Sequence, residues 1–497
     1  MKRYFILVLL LSLIFAGVLS AQEALKSIEE DYYDFLALQG LTERPYLNYR
    51  TLSDSVWAID EQAQHSWQGV NLGTRRHLFG DVFMRIYGPE LFSSFNTAAP
   101  YGQNDGALWQ GKGFNASLTG GVRFEGYGVE LTFKPQLAFS QNLEFDIMKP
   151  EMSGTNYADK AALYGYFWGR VDAPQRFGDE PFFTYDWGDT EIRYTWKTLT
   201  IGFGTQAIWL GPTYLNPMLH SNNAPTYPKL DIGLRKQPVT IPWINWYAGD
   251  IEARMWVGYL SESAYFDNNS SNDHNMFHGL SLAYAPSFLS GLTLSVNRVC
   301  LVPWEWENLK YVIPLAENTI EDQKASFAFS WIFPQVGFEV FGELGIDDFI
   351  GGGVWQYIRN PFHTTIYTAG LKKTVNIVPK KQIYGKIIFE SNWFEKTQDY
   401  QLTGYSFYFH HLITQGYTNG GQWLGSGIGS GGNSQYLAFD VYYPQGNTLF
   451  FITRNNPDQD YLDKDAAIKT ARPYPYFSKA NFVVGFYTNY FINSLFA

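Results

Sequence analysis

Apolar and polar side chains alternate along much of the chain with a period of two. Between Val129 and Phe139 the apolar residues occupy the odd positions, and nearly all of the even positions are polar. Successive side chains of a β-strand point to opposite faces, so this stretch predicts a strand with one apolar and one polar face. The same alternation recurs in 251–259, 327–340, 383–390 and 437–443. Many such strands separated by turn residues predict an all-β barrel or sandwich.

The N-terminus has the features of an export signal. Lys2 and Arg3 precede a short apolar run, and the small residues Ser20 and Ala21 follow it. This order predicts a cleaved signal peptide over residues 1–21, and the shortness of the run disfavours an uncleaved anchor helix. Beyond it no stretch approaches the ~18 consecutive apolar residues of a membrane helix. Two-faced strands in such an exported chain predict a large antiparallel β-barrel in the outer membrane of a diderm bacterium.

Two segments after the signal peptide depart from the strand pattern. Within residues 22–41 apolar side chains recur at intervals of three and four, which predicts a helix. A second short helix is predicted around Ser53–Gln64, with Ser53 or Asp54 as its N-cap. The predicted organisation is a signal peptide over 1–21, a periplasmic helical segment over 22–66 and an outer-membrane barrel over 67–497.

The C-terminal strand favours a membrane barrel over a soluble sandwich. Phe482, Val484, Phe486 and Tyr490 share one parity, and the aromatic Phe496 is the penultimate residue. A terminal strand that closes on an aromatic residue is the feature that outer-membrane insertion machinery usually recognises, although here Ala497 follows it. We therefore expect outer-membrane lipid as a partner on the apolar face and the insertion machinery as a partner at the C-terminus.

Composition and charge exclude several function classes. The 497 residues include 35 Tyr, 39 Phe and 16 Trp, types that favour both membrane interfaces and sugar-binding surfaces. The formal net charge of −11 becomes −13 when Lys2 and Arg3 leave with the signal peptide. This balance argues against nucleic acid as a partner. The single Cys300 allows neither an intramolecular disulfide nor a cysteine-based metal site.

Patterns that would indicate catalysis or metal binding are weak. The spacing of His274 and His278 would suit a metal on a helix, but both lie where a polar stretch runs into a strand. The acidic residues of 458–465 lack the order of a calcium-binding loop, and a solvated loop is the better interpretation. No nucleophile with a neighbouring base is visible. We therefore predict a protein that is not an enzyme and that uses no metal and no cofactor.

Three segments carry a more specific signal than the strands do. They are YGPELFSSFNTAAPYGQNDGALWQGKGFN (87–115), GFGTQAIWLGPTYLNPMLHSNNAPTYPKLD (202–231) and YFHHLITQGYTNGGQWLG (408–425), called here the first, second and third motifs. In sequence, order and spacing they resemble the signature segments of the Wzi family of capsule-assembly proteins. The second motif is the most specific of the three, and the resemblance covers most of the chain beyond the signal peptide.

The resemblance implies both a fold and a function. The fold is an outer-membrane barrel of about 18 strands with a small periplasmic helical piece. The function is that of a lectin-like protein without catalysis, which binds capsular or related surface polysaccharide and helps its assembly and attachment at the cell surface.

Candidate carbohydrate-binding residues lie in the first two motifs. Sugar rings stack on aromatic faces, and sugar hydroxyls exchange hydrogen bonds with planar polar side chains. The residues of these types are Asn104, Asp105, Trp109, Gln110, Trp209, Tyr214, Asn216, Ser221, Asn222 and Asn223. Alternatively, the proline-rich second motif is a loop folded into the lumen, and its polar side chains satisfy buried backbone groups.

A further aromatic pair lies in VPWEWEN. Trp304 and Trp306 would project to the same side of an extended segment and could stack on neighbouring sugar residues. The alternative role for the pair is in an interfacial aromatic girdle.

A porin for small solutes is the competing function. It is favoured by polar lumen-facing residues such as Glu130, Thr132, Lys134 and Gln136. The filling of the lumen discriminates between the two functions, because a lectin can be plugged whereas a porin needs a continuous water path.

Overall fold

The alternating stretches form strands, and most of these strands join a single antiparallel sheet. The computed structural model describes residues 27–59, 63–68, 70, 75–147, 159–166, 171–312, 321–347, 355, 359, 364–395, 407–457 and 480–491. The predicted signal peptide and Phe496 lie outside the described residues.

The strands are β1 Tyr49–Arg50, β2 Arg76–Phe79, β3 Val82–Asn96, β4 Gly113–Gly126, β5 Val129–Phe133, β6 Gln136–Ser140, β7 Phe182–Asp186, β8 Glu191–Trp196, β9 Leu199–Gly204, β10 Trp209–Leu210, β11 Lys229–Ile241, β12 Trp246–Ser261, β13 His274–Pro286, β14 Leu292–Pro303, β15 Asp322–Phe333, β16 Phe338–Asp347, β17 Thr365–Val378, β18 Ile383–Trp393, β19 Thr418–Asn419, β20 Gln422–Trp423, β21 Asn433–Tyr443, β22 Gly446–Asn456 and β23 Asn481–Tyr490. The helices are α1 Ile28–Leu38 and α2 Asp159–Tyr164, with 3-10 turns at Trp306–Val312, Pro334–Val336 and Pro379–Lys381. None of the helices among the described residues is long and apolar enough to cross a membrane.

The large sheet is a closed barrel of antiparallel neighbours. From β11 to β18, and again through β21, β22 and β23, each strand pairs with the next one along the barrel wall. β5 and β6 both pair with β4. β8 pairs with β5, and β7 pairs with β6. β5 and β6 therefore act as one interrupted strand of the barrel wall, and β7 and β8 act as the next. Closure of the barrel brings β23 near the connection that follows β3, where Tyr487 interacts electrostatically with Asp105.

The strand faces confirm the predicted register, with apolar residues outward and polar residues inward. Leu131 is 45% exposed on the outer wall, whereas Thr132 next to it is 4% exposed. On the last strand, Phe482, Val484 and Phe486 all point outward and are exposed. An apolar outer surface around a polar interior is the arrangement of a barrel that spans a membrane.

The two ends of the barrel differ in the length of their connections. At one end, here called the inner end, the strands are joined by turns of a few residues such as 127–128, 197–198 and 444–445. At the other end, here called the outer end, the connections are long and include 97–112, 141–181, 205–228 and 394–432. Outer-membrane barrels keep short turns on the periplasmic side and long loops outside, which sets the orientation of this barrel.

The N-terminal segment 27–68 lies at the inner end. Trp67 donates from Nε1 to the carbonyls of Tyr443 (3.1 Å) and Gly446 (3.0 Å), which flank an inner turn. The rings of Tyr32 and Trp67 stack with centroids 3.8 Å apart. On the barrel side, Arg44 pairs with Glu339 of β16 at 2.8 Å. These contacts fix the segment against the inner turns and the adjacent wall.

One of the two helices predicted in this segment is present. α1 confirms the helix predicted within 22–41, and Ser27 caps it by accepting a hydrogen bond from the Glu30 N–H at 3.1 Å. The prediction of a second helix around Ser53–Gln64 is wrong, because residues 52–54 form a turn and residues 55–58 are irregular. Asp54 is drawn into the lumen by ion pairs with Arg254 (3.1 Å) and Arg235 (3.0 Å), and these contacts override the local helix signal.

Candidate functional site

Two outer-end connections fold back into the barrel and fill its lumen. The described residues 205–228 and 407–432, here called the lumen plug, contain most of the second motif and the whole of the third. Their apolar residues form the largest buried cluster, which includes Met218, Leu219, Tyr408, Tyr417 and Trp423. The interior of the barrel is therefore packed like a protein core at this level.

Hydrogen bonds join the second and third motifs at consecutive positions. Tyr408 donates its hydroxyl to the Met218 carbonyl at 2.7 Å, and Tyr417 donates to the Leu219 carbonyl at 2.7 Å. Ser221 donates its hydroxyl to the Gly425 carbonyl at 2.6 Å. The motifs are far apart in sequence, and these bonds explain why both are needed to build the plug.

Gly425 lies at a close approach of the two plug segments. A Cβ at this position would lie 2.3 Å from the Met218 carbonyl oxygen and 2.3 Å from the Tyr408 hydroxyl. Real Cβ atoms do not come this close to such atoms, so only glycine fits without displacing a neighbour.

The first motif covers the plug at the outer end. Asn104 donates from Nδ2 to the Leu215 carbonyl at 2.9 Å, and the Gly106 N–H donates to the Asn222 carbonyl at 2.7 Å. Gln136 of β6 ties the same stretch to the wall, because its Nε2 donates to the Asp105 carbonyl at 2.9 Å. All three motifs therefore meet in one place, although the sequence gives no sign of their mutual contacts.

Most candidate residues of the second motif are buried and engaged within the protein. Trp209 donates from Nε1 to the Thr213 carbonyl at 3.1 Å, and Tyr214 donates its hydroxyl to an Asp31 carboxylate oxygen at 3.0 Å. Asn216 donates to Asn392 and accepts from Ser426 at 2.8 Å. Ser221 and Asn223 are buried as well. In this conformation these side chains hold the plug together, as expected for a loop folded into the lumen.

Other candidates line a small pocket at the outer end, here called the mouth pocket. Its volume is about 90 Å³. The polar and aromatic side chains around it are Tyr101, Gln103, Asp105, Trp109, Gln110, Asn223 and Gln422. Gln110 donates from Nε2 to Asp105 at 2.5 Å, and burial raises the pKa of the Asp105 carboxyl to about 7. The pocket thus combines an indole with amide and carboxyl groups contributed by all three motifs.

A larger cavity adjoins the mouth pocket and is here called the aromatic groove. It has a volume of about 540 Å³ and shares Trp109 and Gln422 with the mouth pocket. Its other aromatic side chains are Phe177, Phe182 and Tyr265. Sequence reasoning missed these three because they lie outside the motifs. The inward parity of Phe182 on β7 is the one signal that could have pointed to it.

A third cavity lies between the plug and the barrel wall. Its volume is about 280 Å³, and it is lined by polar residues of both, including Asn104, Asn222, Lys134, Gln136 and Asp189. Lys134 is paired with Asp189 at 3.0 Å. Asn104 and Asn222, both candidates from the sequence, face this cavity.

The tryptophan pair of VPWEWEN is exposed but not arranged as predicted. Trp304 is 46% exposed and Trp306 is 87% exposed. The prediction that this segment is extended is wrong, because β14 ends at Pro303 and a 3-10 turn begins at Trp306. Asn308 donates to the Pro303 carbonyl at 2.9 Å and bends the chain between the two indoles. Trp304 packs edge-on against Tyr259, with centroids 4.8 Å apart.

One cluster of acidic side chains among the described residues has a geometry that could hold a metal ion. Glu262, Asp267 and Asp273 bring carboxylate oxygens within 4.8 Å of one another in the connection after β12. His274 and His278 both lie on strand β13, so their spacing does not place them on one helical face. The acidic stretch 458–465 lies outside the described residues.

Comparisons with known proteins agree with this architecture. Residues 95–303 match the family described as capsule assembly protein Wzi. Over these residues the chain is similar to the Wzi family. The match begins within the first motif, spans the whole of the second and ends at the last residue of β14. No curated protein matches the chain in sequence.

Two solved structures resemble the barrel. One is Wzi of Escherichia coli, described as an outer-membrane, carbohydrate-binding β-barrel involved in group 1 capsule assembly. It is 13% identical, with a TM-score of 0.58 and coverage of 95% of both chains. The other is OprB of Pseudomonas putida, 8% identical with a TM-score of 0.37, covering 88% of this chain and 94% of its own. The likeness to E. coli Wzi confirms the predicted β-barrel fold, and the family match supports the predicted outer-membrane location.

Proposed function

We propose that this Wzi-like barrel is an outer-membrane lectin that binds capsular or related surface polysaccharide and helps its attachment at the cell surface. The observation that carries the proposal is the mouth pocket at the outer end. There the first motif contributes Trp109 and Asp105, the second contributes Asn223, and the third contributes Gln422. An exported polymer reaches this end of the barrel first.

The chemistry of the mouth pocket suits a sugar. The indole of Trp109 offers an apolar face for the C–H groups of a pyranose ring. Amide side chains both donate and accept hydrogen bonds, as sugar hydroxyls do, so Gln110 and Gln422 are matched to them. A few placed polar groups beside an aromatic surface are the usual composition of a ligand pocket. This function needs binding alone, and we assign no catalytic step to the protein.

The lumen plug favours the lectin over the porin. Tyr408, Tyr417 and Trp423 pack across the interior, and Arg254 links the wall to the N-terminal segment through Asp54. A diffusion porin needs a continuous water path through this region. The polar cavity of about 280 Å³ beside Lys134 is the one observation that favours a path. In planar bilayers we expect no steady conductance, and persistent ion-permeable channels would support the porin.

The barrel surface implies two further partners. The outward apolar residues, such as Leu131 and Val484, are suited to outer-membrane lipid. The outward aromatic residues of β23, Phe482 and Phe486, are suited to the insertion machinery that assembles such barrels. Both assignments rest on the pattern of exposed residues and are part of the proposal.

The proposal is tested in cells by separating retained from released polysaccharide. Deletion of the gene should shift surface polysaccharide from the cell pellet to the medium, and the wild-type gene should restore retention. Trp109→Ala should fail to restore it at normal surface levels of the protein. The matched control is Trp243→Ala, because Trp243 is 93% exposed in an inner-end turn. Unchanged retention in the deletion strain would refute the function.

A further inference from the structure

The aromatic groove lies beside the mouth pocket and is large enough for a ligand. Its volume of about 540 Å³ falls within the roughly 300–1,000 Å³ of small-molecule sites. Two connections and one strand form it: Phe177 precedes β7, Phe182 begins β7, and Tyr265 follows β12. The groove thus joins elements outside the three motifs to motif residues such as Trp109 and Gln422.

The aromatic side chains of the groove form a connected surface with the mouth pocket. The Trp109 ring meets Phe177 edge-on with centroids 5.3 Å apart, and Phe177 meets Tyr265 edge-on at 5.5 Å. The ring centroids of Phe182 and Trp109 are 6.4 Å apart, and the two ring planes differ by 27°. Because Trp109 and Gln422 line both cavities, a ligand can pass from one to the other without leaving the surface. Two adjoining subsites suit consecutive units of a chain.

The charged side chains in the lining of the groove are the two carboxylates Asp179 and Glu180. Asp179 is held by Arg176 at 2.6 Å and accepts a hydrogen bond from the Tyr164 hydroxyl. Lys160 lies over the Tyr265 ring, 5.1 Å from its centroid. The other charged side chain in the lining that the structure describes is the carboxylate of Glu180, so the groove presents aromatic faces and no cation that would attract an anionic sugar.

The surroundings of the groove are acidic. The described residues of the outer-end connections include 14 Asp and Glu and 5 Lys and Arg, a net charge of −9. Such a surface repels anionic polymers over distances of about 10 Å at moderate salt. Carboxylate-bearing sugars are thus disfavoured at this mouth, whereas uncharged sugars are unaffected.

We propose that the aromatic groove and the mouth pocket together bind an uncharged internal stretch of a surface polysaccharide, with Trp109 at the junction of the two subsites. This inference rests on the proposed lectin function and deepens it by naming the class of ligand. Phe182 and Tyr265 form the second subsite, and Trp109 is shared by both.

The inference is tested with the purified barrel and polysaccharide isolated from the same cells. Binding is measured by calorimetry for the native polymer and for the polymer after chemical reduction of its carboxyl groups to alcohols. Reduction should leave the affinity unchanged or raise it. The double variant Phe182→Ala, Tyr265→Ala should bind at least about tenfold more weakly, a loss of about 1.4 kcal/mol. The matched control is Tyr185→Ala on the same strand, because Tyr185 faces outward.

Each outcome separates this inference from the proposed function. Failure of the folded wild-type protein to bind the native polymer would refute the lectin itself. Equal binding by wild type and the double variant would show that the groove does not bind the polymer, and it would leave the proposed lectin function unaffected. Loss of binding on carboxyl reduction would show that charge is recognised and would overturn the uncharged class. A heat-modifiability assay confirms that each variant is folded.

Discussion

The rings of Tyr408 and Tyr417 stack in the centre of the barrel with centroids 5.4 Å apart and planes 6° from parallel. Their hydroxyls donate to the carbonyls of two consecutive residues, Met218 and Leu219. A pair of parallel rings thus fixes the second motif against the third at two successive backbone positions. This contact is the clearest structural reason why the two motifs occur in the same chain.

Removing one of these hydroxyls should loosen the plug. In Tyr417→Phe the buried Leu219 carbonyl loses its donor, which costs about 1–3 kcal/mol for an unsatisfied buried group. We expect a lower melting temperature and faster proteolysis of the plug in detergent. Tyr185→Phe, whose ring faces outward, is the control and should behave as wild type. Equal protease resistance of both variants would mean that the plug does not depend on this hydroxyl.

A charged side chain on the outward face of β5 should destabilise the barrel. Leu131→Arg places a cation on the apolar outer surface and should cost about 2–4 kcal/mol near the bilayer midplane. Heat-modifiability of the barrel in outer-membrane fractions measures the loss of folded protein. Thr132→Ser, on the inward face of the same strand, is the control and should change stability by less than about 1 kcal/mol. Normal assembly of Leu131→Arg would show that this face does not meet lipid.

Asp105 should make the stability of the outer end depend on pH. Burial raises its pKa from the ordinary 3.8 to about 7, so the folded protein holds this proton more tightly than the unfolded chain. Its contribution to stability is complete below about pH 4 and is lost as the pH rises through about 7. Asp105→Asn cannot ionise and should show a smaller fall in melting temperature across this range. Identical pH profiles for wild type and variant would contradict the assignment.

The exposed tryptophans after β14 test a separate surface. Since Trp304 packs on Tyr259 and the chain turns between Trp304 and Trp306, the two indoles do not form one continuous platform. We therefore expect Trp304→Ala, Trp306→Ala to retain cell-associated polysaccharide at normal surface levels of the protein. Release of polysaccharide into the medium would instead assign these two residues to glycan binding.

The strand faces were predictable from the sequence, whereas the plug was not. Alternation of single residues fixes which face Leu131 and Thr132 occupy, because a strand has a period of two wherever it lies. The contact of Ser221 with Gly425 joins positions that no local pattern relates. The same limit explains the wrong prediction of a helix at Ser53, whose N–H donates to the side-chain oxygen of Gln206. Local propensity yields to such tertiary contacts.

The candidate site was predicted only in part. The first motif supplied Trp109 and Asp105, which line the mouth pocket. The second motif supplied Trp209 and Asn216, whose residue types suit sugars equally well but which are buried in the plug. Residue type alone does not distinguish a side chain that binds sugar from one that hydrogen-bonds to buried backbone groups. Tyr265 of the groove lies in a connection without a motif, so only the folded structure brings it to Trp109.

Polysaccharide binding at the mouth pocket is tested most directly with the purified, natively folded barrel and the surface polysaccharide of its own cells. The affinity is measured by calorimetry for wild type and for Trp109→Ala. We expect saturable binding by wild type and an affinity at least about tenfold lower for Trp109→Ala, with Trp243→Ala unchanged. Absence of binding by the wild-type protein, or equal affinity in all three proteins, would contradict it.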